Sequence, residues 1–137
     1  MQRAAKENIT SGEHDKAIKS LLEAASIYQK GEDFRQAASC HLQVAEQHLR
    51  NENTEEASQN YRRAVFERIL GGELRIARSL IESIKNDKVK NTASFRQALN
   101  MVEVFEKGDE EALNKLLKDI NDFSWVRISL AFGRSSR

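Results

Sequence analysis

Proline is absent from the 137 residues, and cysteine occurs once, at Cys40. Without proline, no position is barred from a helix interior by a missing N–H. A lone cysteine cannot close an internal disulfide or frame a cysteine-based zinc site, and it fits a reducing compartment. Long apolar runs are also missing: none approaches the roughly 18 residues that a membrane span needs. The opening stretch, MQRAAKENITSGEHDK, has no apolar segment of the kind that marks a secretory signal. Nor does charge of one sign accumulate. The chain holds 22 basic and 21 acidic residues for a net charge of +1. The balance is local as well, with seven of each among residues 1–50. This is not the concentrated positive field of a nucleic-acid binder. The one bias is at the end, where Arg127, Arg134 and Arg137 have no acidic neighbour after residue 126.

What remains is a composition for helices. Ala, Leu, Glu, Lys, Arg and Gln dominate, and the length suits a single domain spanning 1–137. Caps place the elements. Asp33 stands three residues before Gln36, a capping-box pattern, and Thr54 and Asp109 each precede two glutamates suited to a helix's positive end. Gly31, Gly71-Gly72 and Gly108 are expected helix stops, since glycine takes the left-handed cap that other residues resist. The expected helices run at about 3–9, 14–30, 34–50, 54–70, 73–85, 92–107, 109–120 and 124–132. Short connections make consecutive helices antiparallel neighbours.

The more informative signal is a beat. Alanine recurs at Ala17, Ala37, Ala57 and Ala77, one per helix every twenty residues, then at Ala98. Apolar residues follow at +4 and +7, as Leu21 and Ala24 follow Ala17, or Tyr61 and Ala64 follow Ala57. These positions share a helical face, and the small residue lets a neighbouring helix approach. The expectation is an all-α, right-handed α-solenoid of seven or eight helices in antiparallel hairpins, forty residues per hairpin. The spacing at Ala57, Tyr61 and Ala64 resembles the second helix of a tetratricopeptide repeat. The preceding helix departs from that pattern with His41, Val44, Ala45 and His48, and its period is longer.

Three stretches point further. DKAIKSLLEAASIYQKGEDF carries Asp15, Lys16, Ala17, Ile18, Ala25, Tyr28, Lys30, Gly31 and Glu32; CHLQVAEQHL carries Cys40, Leu42, Val44 and Ala45. Near the end, an amphipathic helix closes in an acidic turn at Asp122, and Trp125 opens the next helix. In this order they resemble the C-terminal half of the soluble NSF attachment proteins (SNAPs), alpha-type, over most of residues 14–130. The resemblance implies a cytoplasmic adaptor of vesicle fusion, peripheral to membranes only through its partners. It would lay basic side chains along the acidic four-helix SNARE bundle and recruit a AAA ATPase that disassembles it. By position, Lys30 is the partner-binding residue it implies first, with Arg62 and Arg63 as weaker candidates; the alternative for each is a solvated surface charge. The family's N-terminal helices and its acidic, leucine-containing tail have no counterpart here, which leaves ATPase stimulation in question. A general repeat scaffold, or an accessory subunit of a large complex unrelated to SNAREs, are the alternatives.

Catalytic chemistry finds no support in the residues. His41 and His48 lie about 10 Å apart on one helix with Val44 and Ala45 between them, too far for one metal. Cys40 reads as a small buried hydrophobe, with His41 pointing about 100° away around the helix. Gly71-Gly72 lacks the strand and lysine of a phosphate loop. Neither a cofactor, nor a metal, nor an enzymatic activity is expected. The aromatic residues read as core, with Phe123, Trp125 and Phe132 expected to seal the end of the stack.

Overall fold

The computed structural model describes residues 2–118 and 131–133, with side chains from residue 12 onward. The helices are α1 (Gln2–Lys30), α2 (Phe34–Arg50), α3 (Thr54–Leu70), α4 (Leu74–Ser83), α5 (Asp87–Lys90), α6 (Ala93–Lys107) and α7 (Glu110–Lys118). Residues 131–133 are helical too, and the described residues contain no strand. The all-α expectation holds, and α2 and α3 keep the limits expected of them. Asp122, Phe123, Trp125 and Leu130, with most of the expected last helix, lie outside the described residues.

Three boundaries differ from expectation. The break expected between residues 9 and 14 is absent, and α1 runs unbroken through Gly12. One interior glycine costs only about 1 kcal/mol relative to alanine, too little to end a helix with good formers on both sides. Helix α4 stops at Ser83, where Ile84 turns to extended backbone. A single turn, α5, follows: the Asn86 side chain accepts the Val89 N–H at 3.1 Å, and Val89 is fully buried. Caps set the other starts. Asp33 accepts from Gln36 N, Thr92 from Phe95 N and Asp109 from Ala112 N. Asn53, not Thr54, caps α3, without a side-chain bond.

The twenty-residue beat is written into the backbone. Glu32, Glu52 and Gly72 have φ of 59°, 61° and 79°. Each donates its N–H three residues back, to Gln29, Leu49 and Ile69, at 3.0–3.1 Å. Each following residue, Asp33, Asn53 and Glu73, donates five residues back at 2.8 Å, to Tyr28, His48 and Arg68. The same doubly bonded, left-handed cap thus closes three successive helices. Gly31 and Gly71 sit one position before the left-handed residue, so glycine takes the strained site only at Gly72 and Gly108. A Cβ at Gly71 would stand 3.1 Å from Arg35 Cγ, so a larger residue there would make that side chain shift.

Ala37, Ala57 and Ala77 are 0% exposed and Ala98 is 1%, as the alanine ladder requires. Ala17 breaks the pattern and is exposed. It lies on α1, whose extensive packing is against α2, and no described helix covers its face. The centre is α3, which packs against α2, α4, α5 and α6 and buries most of its circumference. Several hydrogen bonds join elements well separated in sequence. Gln29 reaches Glu67, Arg35 reaches the Gly71 carbonyl and Arg62 reaches Gln97, at separations of 38, 36 and 35. These contacts are consistent with stacked helical hairpins of about forty residues.

Candidate protein-binding surface

Lys30 ends α1 beside the first left-handed cap and is exposed. Its neighbour Gln29 donates to Glu67 Oε2 at 2.8 Å, which fixes the end of α1 against α3 one turn past Arg63. Arg63 is half-buried. Arg62, one residue away and about 100° around α3, turns to α6 and donates to Gln97 Oε1. The three candidates therefore do not form one cluster. Arg62 belongs to the seam between α3 and α6, whereas Lys30 and Arg63 lie near the contact of α1 with α3.

Two further lysines, Lys16 and Lys19, stand outside the partner-binding candidates that the resemblance implies. Lys16, Lys19, Glu23 and Lys30 are all exposed and follow one another at helical spacings of three, four and seven. They share one stripe along α1. That spacing is legible in the chain, but it gains meaning only once α1 is known to be one helix exposed on this side. The stripe offers three positive charges, with Glu23 among them, over about 21 Å.

Behind it lies a buried polar cluster. Glu67 is 0% exposed and bonds His41 Nδ1 through Oε1 and Gln29 through Oε2. One carboxylate thus joins α1, α2 and α3. Cys40 is buried next to His41, and burial, then the Glu67 charge, raises its thiol pKa above the ordinary value. That holds it protonated, the opposite of what a thiolate nucleophile needs. His41 is committed to Glu67, and the described residues contain no group of three or more possible metal ligands.

Near its start α2 is tied to the end of α3 and to the turn before α4, and toward the last turns of α2 and α4 a groove opens. At the tied end Arg68 donates to Glu73 Oε1 at 2.8 Å and to Ser39 Oγ at 3.1 Å, and Arg35 donates to the Gly71 carbonyl at 3.3 Å. At the open end a groove of about 360 Å³ is walled by Leu42, Leu49, Leu80 and Ile84, with Tyr61 beneath. Burial, and then the Glu46 carboxylate, pushes the Tyr61 phenol up. A larger groove of about 540 Å³ lies where the turns after α1 and α3 meet, between Phe34, Leu70, Leu74 and Phe105 with Glu32 and Asp33 on its rim. Between α4 and α6, Arg78 Nε donates to Glu106 Oε2 at 3.0 Å, and a second guanidinium N–H donates to Oε1. This bond raises the Arg78 pKa and lowers that of Glu106.

The described residues therefore define a class: an all-helical protein, consistent with stacked hairpins, with shallow grooves and a charged flank. No described helix is long and apolar enough to cross a membrane. Comparison of the chain with protein-family models, curated proteins and solved structures finds no match.

Proposed function

We propose that the chain is a non-enzymatic adaptor that binds other proteins, of the SNAP type: it lies along an acidic helical bundle of SNAREs and couples it to a AAA ATPase. The observation that carries the reading is the exposed row of Lys16, Lys19 and Lys30 on the flank of a helical-hairpin stack. A row of point charges recognises a charged rod by summed electrostatics, tolerates sequence variation and associates quickly. Lys30 and Arg63 would contact the partner, while Arg62 would support the surface through Gln97.

The test is binding of the purified chain to a purified acidic four-helix SNARE bundle, followed by calorimetry from low to physiological salt. The dissociation constant should rise on the order of tenfold across that range, as screening of several exposed charges requires. Lys30→Glu and Lys16→Glu should each weaken binding without changing the melting temperature. Absence of binding at low ionic strength would overturn the reading. With the ATPase and ATP added, bundle disassembly that depends on the chain would support the second half of the proposal, and none would remove it.

A second reading, an accessory subunit held by apolar contacts, has its own observation. Ile27 is 69% exposed, and Leu22 and Tyr28 are 37% exposed, all on α1. Binding to a partner that is indifferent to salt would favour it.

A further inference from the structure

One connection does not keep the beat. Three residues join α1 to α2, α2 to α3 and α3 to α4, whereas nine, residues 84–92, separate α4 from α6 and include the single turn α5. Packing uses two of the nine: Ile84 is 6% exposed and Val89 0%. Lys85, Asp87, Lys88, Lys90 and Asn91 are exposed, and Arg96 follows, also exposed, on the first turn of α6. Residues 85–96 thus hold four bases against one acid, in a chain whose net charge is +1. The insertion is held firmly all the same. Asn86 caps the Val89 N–H, the Thr92 hydroxyl donates to the Val89 carbonyl at 2.7 Å, and Arg96 donates to the Asn91 carbonyl at 3.1 Å. No ion pair among the described residues engages Lys85, Lys88 or Lys90. Extra residues in a stack of hairpins, fixed by their own bonds and carrying like charges that the fold does not neutralise, serve display rather than packing.

The insertion also borders a groove. The cleft of about 360 Å³ walled by Leu42, Leu49, Leu80 and Ile84 is lined at the α5 side by Lys85 and Asn86. Apolar walls therefore run directly into the basic turn, and the two together select a partner. The walls take an aliphatic or aromatic side chain out of water. The lysines favour carboxylates placed just beyond it, where the neighbouring apolar surface strengthens the attraction. Glu46 lines the α2 side and would repel a carboxylate there, so the acidic residues belong toward α5. A nucleic acid or a membrane surface would use the lysines and leave the walls idle. We propose that this groove and the turn beside it bind one short segment of a partner protein, an apolar side chain in the groove with carboxylates next to it on Lys85, Lys88 and Lys90. The site is separate from the stripe on α1, so the proposal stands apart from the SNARE reading.

An array of short peptides tests it with the purified chain. Each peptide carries a leucine or phenylalanine beside several glutamates, at varied spacing. Matched peptides replace the apolar residue by serine, or the glutamates by lysine. The best apolar–acidic peptide should bind about tenfold more tightly than its serine match, and the lysine match should not bind. Lys85→Glu combined with Lys88→Glu, both at exposed positions, should weaken that peptide about tenfold at an unchanged melting temperature. Lys107→Glu, beside a different cleft, should leave it unchanged. Leu80→Ser, with helicity as the check on folding, should bring the peptide down to the level of its serine match. A serine match that binds as tightly as its parent reveals a general polyanion surface and overturns the proposal. So does failure of every peptide, indifference to the two lysine changes, or vesicles of anionic phospholipid that bind the chain more tightly than any peptide.

Discussion

Glu32 and Glu52 occupy left-handed caps that glycine fills at Gly72 and Gly108. A side chain in that conformation costs about 1 kcal/mol, because its Cβ crowds the following carbonyl. Glu52→Gly should therefore stabilise the chain by up to about 1 kcal/mol in urea denaturation, with part of the gain lost to the freer unfolded chain. Gly72→Ala should cost about as much. The buried cluster behaves differently. Glu67 depends on His41 and Gln29 for its hydrogen bonds, so His41→Leu leaves a buried carboxylate short of a partner. Such a change costs about 3 kcal/mol or more. Glu67→Gln, which keeps the shape and removes the charge, should cost less, and His41→Leu combined with Glu67→Leu should cost less than the sum of the single changes. Denaturation of the four variants measures the coupling.

At the scale of elements, α4 and α6 are clasped by Arg78 and Glu106. The bond to Arg78 depresses the Glu106 pKa in the folded chain. Glu106 therefore contributes stability that is present above its unfolded pKa and fades as pH falls through the folded value. Both side chains are partly exposed, so solvent screening keeps the contribution below about 1 kcal/mol. Glu106→Gln should lower stability at neutral pH by that small amount and flatten the acid limb of the stability profile; an unchanged limb would show that the pair contributes nothing. The caps acting at this scale were largely readable. Asp33 and Asp109 announce themselves by the residues that follow, whereas α5 does not, since its single turn depends on Asn86 and on a pocket for Val89.

For the whole molecule, the alanine ladder separates interior layers from the end. Ala57→Leu or Ala77→Leu inserts bulk where exposure is 0% and should cost about 1–3 kcal/mol. Ala17→Leu, measured on dilute chain, should change stability by less than about 0.5 kcal/mol. Equal losses at all three would show that α1 is covered in the same way as α3. The same openness explains why Lys30 was legible as an exposed helix end, while the assignment of Arg62 to the α3–α6 seam was not. Adjacent residues on a helix diverge by about 100°, and only the position of α6 decides which of them is taken up.

The chain's own pattern determined that it is helical, where α2 and α3 begin and end, and that alanines would recur at the contacts. These follow from local preferences and from a period that survives without knowledge of neighbours. Tertiary structure alone decided that Glu67 lies in the core, that Glu32 rather than Gly31 bears the left-handed turn, and that Ala17 faces outward. A charge can enter the interior only if partners distant in sequence arrive to bond it. An alanine is buried only if another helix lies over it, and neither condition is written at the position itself.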